Sequence, residues 1–339
     1  MHEFEPKGVG IPTEDWCPTA AVSDLRYERR QFASVALAIS LITLLATVVQ
    51  IVAITLISVF CPWVIERDWY VVVFSTLPMY AVSMPLSIFF YRIGKGVPPP
   101  QKRRITPLAL CGLLCICFAL SYVGNIFGAV INAIIGVITG EPPVNDLQEM
   151  TLNTPFWANL LFCGILAPIM EEIFYRKLVI DRLRRYGDLF AVLASGILFG
   201  LIHGNFYQFF YAAMIGCLFG YLYLYSGRLR YTVALHMGFN LIGGVYSTEV
   251  LKRLDLEAFG ADPIAYFASA PLPVAMYLFY LAFTGLCMLL SPVALALLWK
   301  HIRFSKGEVR LTASQLAKAM LINPATWLMV VVILMMFLL

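Results

Sequence analysis

Long apolar runs, separated by short polar segments, dominate the pattern of hydrophobic and polar positions along this chain. A run of about 20 apolar residues is long enough to cross the hydrocarbon core of a bilayer as an α-helix. The runs lie at about 34–60, 70–91, 107–138, 156–170, 189–203, 206–225, 231–246, 272–299 and 325–339, and the fourth is expected to continue as helix to a turn at about 187. The pattern predicts an all-α, polytopic transmembrane helix bundle of about 8–9 spans. The short last run leaves the count open, and so does the fifth run, which either crosses fully or returns early at Gly204-Asn205.

The composition agrees with a membrane protein. Of the 339 residues, 60% are hydrophobic and 13% are charged, whereas a soluble domain carries about 25% charged residues. The first 33 residues are polar and lack the basic start, short apolar stretch and cleavage site of a signal peptide. The eight cysteines contain no C-x-x-C pair, so a zinc finger or redox site of that type is not expected.

The positive charges predict an orientation. If the runs cross the membrane alternately, all of the 24 Lys and Arg residues except Arg67, Lys252 and Arg253 fall on one side. Because cytoplasmic loops are enriched in Lys and Arg, we expect a cytosolic N-terminus and a C-terminus outside. The chain shows no tandem or inverted repeat, which argues against a secondary transporter.

Several polar side chains interrupt the apolar runs. Glu171 and Glu172 follow a long apolar stretch, although a charge at the centre of a membrane helix costs about 2.5–3.5 kcal/mol on insertion scales. His203 ends the fifth run, and His236 precedes Asn240 by four residues in the seventh. Residues i and i+4 share one helix face, so we expect the last two side chains to point the same way.

Counting residues places these side chains at one depth. Glu171 lies 16 residues before the turn at Gly187, and His203 lies 16 residues after it. At about 1.5 Å per residue, both lie about 24 Å from that turn on neighbouring antiparallel helices. The arginines before Gly187 indicate that the first turns there project into the cytosol, so Glu171, counted from Asp181, lies about 15 Å deep. His236 and Asn240 lie about 12 and 18 Å beyond the turn that precedes the seventh run. We therefore expect all four side chains to share one layer on the cytosolic side of the membrane.

Small residues and prolines shape the neighbouring runs. Glycine recurs at every fourth position in the fifth and sixth runs, at Gly196, Gly200, Gly204, Gly216 and Gly220. Small residues at this spacing let helix backbones approach closely, as a site built from three helices requires. Pro78 and Pro85 are expected to kink the second run, which a bundle tolerates.

The residue types suit hydrolysis by activated water. A carboxylate beside an imidazole can act as general base toward water, and a second imidazole with an amide can stabilise an oxyanion. Arg176 is four residues after Glu172, so it is expected to pair with Glu172 along the helix and leave Glu171 free. Cys163 and Ser195 stay open as nucleophiles at this stage.

Each feature also has a structural interpretation. The two adjacent glutamates could cap a helix and pair with Arg176 and Lys177, and an intramembrane histidine could be a packing residue. His236 and Asn240 could join helices by hydrogen bonds. The shared depth of the four side chains favours a catalytic role over these structural interpretations. The non-catalytic alternatives are an immunity factor, chaperone or scaffold, and a transporter with a proton-relay carboxylate.

Three motifs resemble those of the CPBP family, which includes the type II CAAX prenyl endopeptidases and bacteriocin-processing or self-immunity proteins. They are Glu171-Glu172-x-x-x-Arg176, Phe199-x-x-x-His203 and His236-x-x-x-Asn240. The resemblance covers about 156–246 and implies a helical intramembrane glutamic endopeptidase. It implies that Glu171 and His203 activate water, that His236 and Asn240 form the oxyanion hole, and that Glu172 and Arg176 support them.

The resemblance also divides the chain. The expected segments are a cytosolic tail (1–33), accessory transmembrane spans (34–138), a CPBP-like catalytic bundle (156–299, motifs within 171–240), a basic cytosolic linker (300–324) and a terminal span (325–339). The tail and the terminal span lie outside what the resemblance explains.

The resemblance implies no cofactor, with one alternative. The family was once regarded as metal-dependent, and Glu171, His203 and His236 could then bind zinc. The expected partners are the bilayer and a peptide or membrane-protein substrate, with or without a lipid anchor; nucleic acid is not among them. The expected location is a multi-pass position in a prokaryotic plasma membrane, with an organelle membrane as the alternative.

Overall fold

The chain folds into a bundle of α-helices. A computed structural model describes residues 24–91, 96–98, 100–141 and 143–338. The structure is 84% helical, and the described residues contain no β-strand. The expected all-α, polytopic fold is therefore confirmed. Most of the expected N-terminal tail, residues 1–23, lies outside the described residues.

The helices follow the apolar runs closely. In chain order they are α1 (Leu25–Phe60), α2 (70–91), α3 (Pro107–Thr139), α4 (Asp146–Asn153), α5 (Phe156–Tyr186), α6 (Asp188–Leu201), α7 (Phe206–Ser226), α8 (229–253), α9 (Leu256–Ala261), α10 (Pro263–Ser269), α11 (Pro271–Trp299), α12 (Ala313–Leu321) and α13 (Pro324–Leu338). Helices α3, α7 and α11 match their predicted runs to within one residue at each end.

The number of spans differs from the prediction. Among the described residues, six helices are long and apolar enough to cross a membrane, namely α1, α2, α3, α5, α7 and α11. Helices α12 and α13, bent by 70° against each other, make a seventh if the pair is one span. The expected 8–9 spans are not confirmed, because two predicted spans are missing from this set. Helix α8 is not among the candidates, and α6 has only 14 residues, or about 21 Å, against a hydrocarbon core of about 30 Å. The cytosolic N-terminus stays a prediction.

Three boundaries also differ from the prediction. Helix α1 begins nine residues before the expected span, because the Asp24 side chain caps it by accepting a hydrogen bond from the backbone N–H of Arg26 at 2.9 Å. The segment expected as a polar loop after residue 246 holds the end of α8 and the short helices α9 and α10. The expected linker 300–324 contains α12, which Thr312 and Gln315 begin with a capping box.

Four segments of the described residues are wound as π-helix. They are Pro78–Ser83 in α2, Asn159–Leu166 and Ile173–Ile180 in α5, and Asn240–Tyr246 in α8. Proline has no backbone N–H to donate, which explains why α2 departs from α-helical winding at the expected position. Single π turns inside α-helices occur frequently at functional sites. The three helices with π segments therefore become candidates for carrying one.

Helices α6 and α7 form a tight antiparallel hairpin. Gly204 turns the chain with a positive φ of 67°, a backbone conformation that favours glycine. Asn205 then caps α7 by accepting a hydrogen bond from the Gln208 N–H at 2.9 Å. At Gly200, an added Cβ would lie 2.6 Å from the Phe209 carbonyl oxygen. The glycine pattern thus allows the close approach that the sequence predicts.

We expect Gly200→Ala to destabilise the protein by about 1–3 kcal/mol, the usual effect of overpacking. The added methyl group would meet the backbone of α7, so the two helices would have to separate. Thermal unfolding of the detergent-solubilised protein measures the change. Gly285→Ala on α11 is the matched control, because an added Cβ there meets nothing within 4 Å. Equal stability of the two variants would contradict the packing argument.

The C-terminal helix packs beside the α6–α7 turn. The Thr43 hydroxyl of α1 donates to the Met336 sulfur at 3.7 Å. The rings of Phe337 and Phe206 have centroids 4.9 Å apart. An added Cβ at Gly204 would lie 3.0 Å from the backbone oxygen of Met336. Helix α13 therefore closes the side of the bundle on which α6 ends.

Candidate active site

The two adjacent glutamates lie in the middle of α5, on a short α-helical stretch between its two π segments. Ala167–Glu172 carries both of them. The exposed fraction is 8% for Glu171 and zero for Glu172. Burying an ionised carboxylate is unfavourable unless it is paired and hydrogen-bonded. The partners of each carboxylate therefore decide what it can do.

Glu172 is held by a buried arginine. Arg176 donates from Nε to Glu172 Oε2 at 3.0 Å and from Nη2 to Oε1 at 3.2 Å. Its third hydrogen bond, from Nη1 to Ser195 Oγ, measures 2.8 Å. The guanidinium carbon lies 5.1 Å from the centre of the Phe199 ring and 5.8 Å from that of Phe219, within the range of cation–π attraction. This geometry confirms the predicted pairing of Arg176 with Glu172.

Ser195 has a structural place beside this ion pair. Its hydroxyl accepts from Arg176 and donates to the backbone oxygen of Tyr175 at 2.9 Å. The side chain is fully buried. Neither of these contacts involves a base that could take its proton. Ser195, which the sequence left open as a nucleophile, therefore serves to orient Arg176.

His236 of α8 lies between the two glutamates. Its Nδ1 is 3.1 Å from Glu172 Oε1, and its Nε2 is 3.8 Å from Glu171 Oε2. Because Glu172 is paired with Arg176, the shorter contact is best satisfied by an N–H on Nδ1. That assignment leaves Nε2 facing Glu171. The imidazole is buried, and its ring centre is 5.0 Å from that of Phe219.

Tyr80 of α2 contacts the other oxygen of Glu171. Its hydroxyl donates to Glu171 Oε1 at 2.5 Å, and the ring is 6% exposed. The two carboxylate oxygens of Glu171 thus have different neighbours, a phenol on Oε1 and an imidazole near Oε2. A hydrogen bond from a phenol to a carboxylate is short and strong. Sequence reasoning missed Tyr80, whose only sequence signal is its position two residues after Pro78.

His203 packs against the Phe199 ring, as His236 does. The ring centre of Phe199 is 5.2 Å from that of His203 and 5.7 Å from that of His236. The Nδ1 atom of His203 is 2.8 Å from the Phe199 backbone oxygen. A carbonyl only accepts, so this contact places the proton on Nδ1 and leaves Nε2 as the acceptor. The structure forms no ion pair between His203 and Glu171, both of which it describes.

Asn240 lies one turn beyond His236, at the start of the π segment of α8. Its side-chain amide donates from Nδ2 to the backbone oxygen of Cys163 at 2.9 Å. Cys163 belongs to the first π segment of α5. The hydrogen bond fixes α8 against α5 next to the glutamates. Cys163 takes part in this contact through its backbone oxygen and not through its thiol.

The described residues do not arrange a metal centre. They contain no group of three or more His, Cys, Asp and Glu side chains that could hold a metal ion. The alternative zinc ligands Glu171, His203 and His236 do not form such a group, and His236 already has a carboxylate near each nitrogen. The metal-free chemistry itself stays a prediction.

Four of the six candidate residues therefore form one network, and the other two lie beside it. Glu171, Glu172, Arg176 and His236 form one contiguous network. His203 joins it through the ring of Phe199, and Asn240 through the shared helix α8.

Comparison with known proteins shows that this region is similar to a known family. Residues 153–242 match the family model described as type II CAAX prenyl endopeptidase Rce1-like. The matched range contains the whole of this network together with His203 and Asn240, whereas Tyr80 of the accessory helix α2 lies outside it. The resemblance inferred from the three motifs is thereby confirmed. The match covers about a quarter of the chain, and the long apolar helices around it agree with a multi-pass membrane protein.

Two bacterial proteins are similar to this chain. The "Membrane-embedded CAAX protease MroQ" of Staphylococcus aureus (strain USA300) is 26% identical over 168 residues, which cover 46% of this chain and 65% of that protein. The "Putative membrane peptidase YdiL" of Bacillus subtilis (strain 168) is 28% identical over 95 residues, which cover 28% of this chain and 39% of that protein. The chain thus spans less than two thirds of either relative. No solved structure matches it significantly.

Proposed function

We propose that this chain, whose residues 153–242 match the family model of Rce1-like type II CAAX prenyl endopeptidases, is an intramembrane endopeptidase. It hydrolyses a peptide bond of a peptide or membrane-associated protein near the cytosolic face. Water activated by a glutamate is the nucleophile. The observation that carries this proposal is that two adjacent buried glutamates have different partners. Glu172 is neutralised by Arg176, whereas Glu171 faces an imidazole.

Glu171 is the proposed general base. Its neighbour Glu172 already receives two hydrogen bonds from Arg176 and contacts His236. Glu171 has no cationic Lys or Arg partner among the described ion pairs, and its Oε2 faces His236 Nε2 at 3.8 Å. Since no hydrogen bond from the described residues occupies Oε2, that oxygen is the one proposed to accept the proton from water. The proton taken from water can then pass to the leaving amine.

His203 is the proposed second group on the water. Its Nδ1 bond to the Phe199 carbonyl fixes the ring and leaves Nε2 as an acceptor. Because Glu171 has an ion-pair contact with His236 and none with His203, the proposed water bridges Glu171 and His203. In a free enzyme the hydrogen bonds between catalytic groups are often long, and they shorten when the substrate binds.

His236 and Asn240 are the proposed donors to the oxyanion. An amide nitrogen carries two N–H donors, so the bond from Asn240 to the Cys163 backbone anchors the side chain by one and leaves the other to donate. The imidazolium form of His236 likewise donates from Nδ1 to Glu172 and offers an N–H on Nε2. Removing one donor of this type usually lowers kcat by about 10²- to 10³-fold.

The test is hydrolysis by the purified protein in detergent or nanodiscs. The substrates are matched peptides with a C-terminal cysteine motif, each prepared with and without a prenyl group, and a set of transmembrane peptides. Mass spectrometry of the products locates the cleaved bond. New termini that need the wild-type protein support the proposal, and an intact panel alongside an active bacterial relative argues for a non-catalytic scaffold.

A chelator tests the zinc alternative in the same assay. We expect turnover to persist in a strong chelator, because the proposed chemistry uses no metal and the described residues form no set of metal ligands. Loss of activity that added zinc restores would make Glu171, His203 and His236 metal ligands.

A further inference from the structure

One polar contact of the site comes from outside the family-matched range. Tyr80 is 91 residues before Glu171 in the chain and lies on α2. Its hydroxyl is 2.5 Å from Glu171 Oε1. The chemistry proposed above needs the carboxylate of Glu171 but assigns nothing to this phenol.

The local winding of α2 holds Tyr80 in place. The π segment Pro78–Ser83 contains it, and Ser83 Oγ donates to the Pro78 backbone oxygen at 3.0 Å. The Tyr80 ring packs in one buried apolar cluster with Met84 and Ala167. The ring is thus fixed by packing, while its hydroxyl is the polar end that reaches the carboxylate. Buried tyrosines usually find such a partner for the O–H.

The contact has a directional consequence for Glu171. Oε1 accepts a short hydrogen bond from Tyr80, whereas Oε2 faces His236 Nε2 at 3.8 Å. A carboxylate rotates about its last side-chain bond over a broad range unless something holds it. With one oxygen held, the other is directed toward the imidazole and the water that it is proposed to activate.

We propose that Tyr80 is a positioning residue, which holds Glu171 Oε1 so that Oε2 is the atom that takes the proton from water. The inference rests on the proposed function. It means that the accessory helix α2 completes the site, and that residues 153–242 carry only part of it. Tyr80 acts through Glu171 and needs no contact with the substrate.

The test is Tyr80→Phe, which removes the hydroxyl and keeps the ring in its cluster. We expect kcat to fall about 10- to 100-fold, the scale of a misplaced catalytic group, while KM and the melting temperature stay near the wild-type values. Tyr70→Phe is the matched control, since Tyr70 lies on the same helix, is 9% exposed, and packs its ring against Phe74. Its kcat should equal that of the wild type.

A second measurement separates positioning from general structure. In Glu171→Asp, the carboxylate is withdrawn by one methylene group, and the bond from Tyr80 is expected to be lost. Tyr80→Phe added to this variant should then lower kcat by less than about threefold, because interacting residues are not additive. A repeat of the full loss in the Glu171→Asp background, or a wild-type kcat for Tyr80→Phe, would overturn the inference.

The outcomes distinguish this inference from the proposed function. If the wild-type protein hydrolyses no peptide under conditions that support an active relative, the proposed function fails. If the wild type is active, Glu171→Gln is inactive and Tyr80→Phe is fully active, the role of Tyr80 fails alone.

Discussion

Replacing Glu171 with glutamine is expected to lower kcat by about 10²- to 10⁴-fold, the contribution of a positioned general base. Glutamine has the same shape and can still accept the hydrogen bond from Tyr80. Its amide cannot take a proton from water. Because the replacement also removes a buried charge, we expect the fold to remain intact. Turnover of a cleaved peptide, followed by mass spectrometry, gives the size of the loss.

The matched control for this prediction is Glu249→Gln. Glu249 is also a buried glutamate, and it pairs with Lys252 and Arg253 near the end of α8. It is 13 residues beyond His236, or about 20 Å along the helix. We expect wild-type turnover per folded molecule for this variant. Equal losses in the two variants would show that the effect comes from any buried glutamate and not from the site.

Replacing Arg176 with methionine is expected to destabilise the protein by about 3–5 kcal/mol, the usual result of removing one partner of a buried ion pair. Arg176 and Glu172 are both fully buried, so Glu172 would be left with its charge uncompensated. The variant would also lose the hydrogen bond to Ser195 and the attraction to the Phe199 ring. Reversible unfolding in mixed detergent measures the free energy.

The next residue provides the control for Arg176. Lys177 pairs with Asp181 at the same i, i+4 spacing, but its side chain is 44% exposed. Exposed ion pairs contribute about 0–1 kcal/mol, so Lys177→Met should change the stability little. Adding Glu172→Gln to Arg176→Met should restore part of the lost stability, because it removes the uncompensated charge. Similar losses for Arg176→Met and Lys177→Met would contradict the account.

Much of the fold follows from the apolar pattern. The limits of α3, α7 and α11 were predictable because each is a continuous apolar run with Pro or a polar residue at its start. The count of spans was not predictable in the same way. Helix α6 is as apolar as its neighbours and differs from them by its length of only 14 residues, and α8 is also not among the helices that could cross a membrane. Helix α12 was missed for a different reason, since its basic surroundings resemble a linker.

The site was predictable where its contacts run along one helix. The bond between Glu172 and Arg176 depends on a spacing of four residues, which the sequence displays directly. The choice of neighbour for Glu171 depends on how separate helices pack. The sequence favoured His203 by depth, yet the contact at 3.8 Å is with His236, and the phenol comes from α2. The position of a residue along its helix predicts its depth in the membrane. It does not predict the rotation of the helix, and therefore which neighbouring helix the side chain faces.

The most direct measurement compares Glu171→Gln with Glu172→Gln in two readouts, turnover per folded molecule and melting temperature. The account predicts that Glu171→Gln loses turnover and melts like the wild type. It predicts that Glu172→Gln melts about 5 °C or more lower, because the charge of Arg176 is left buried without its partner. The opposite pattern, with Glu171→Gln unstable and Glu172→Gln stable but inactive, would contradict the division of roles between the two glutamates.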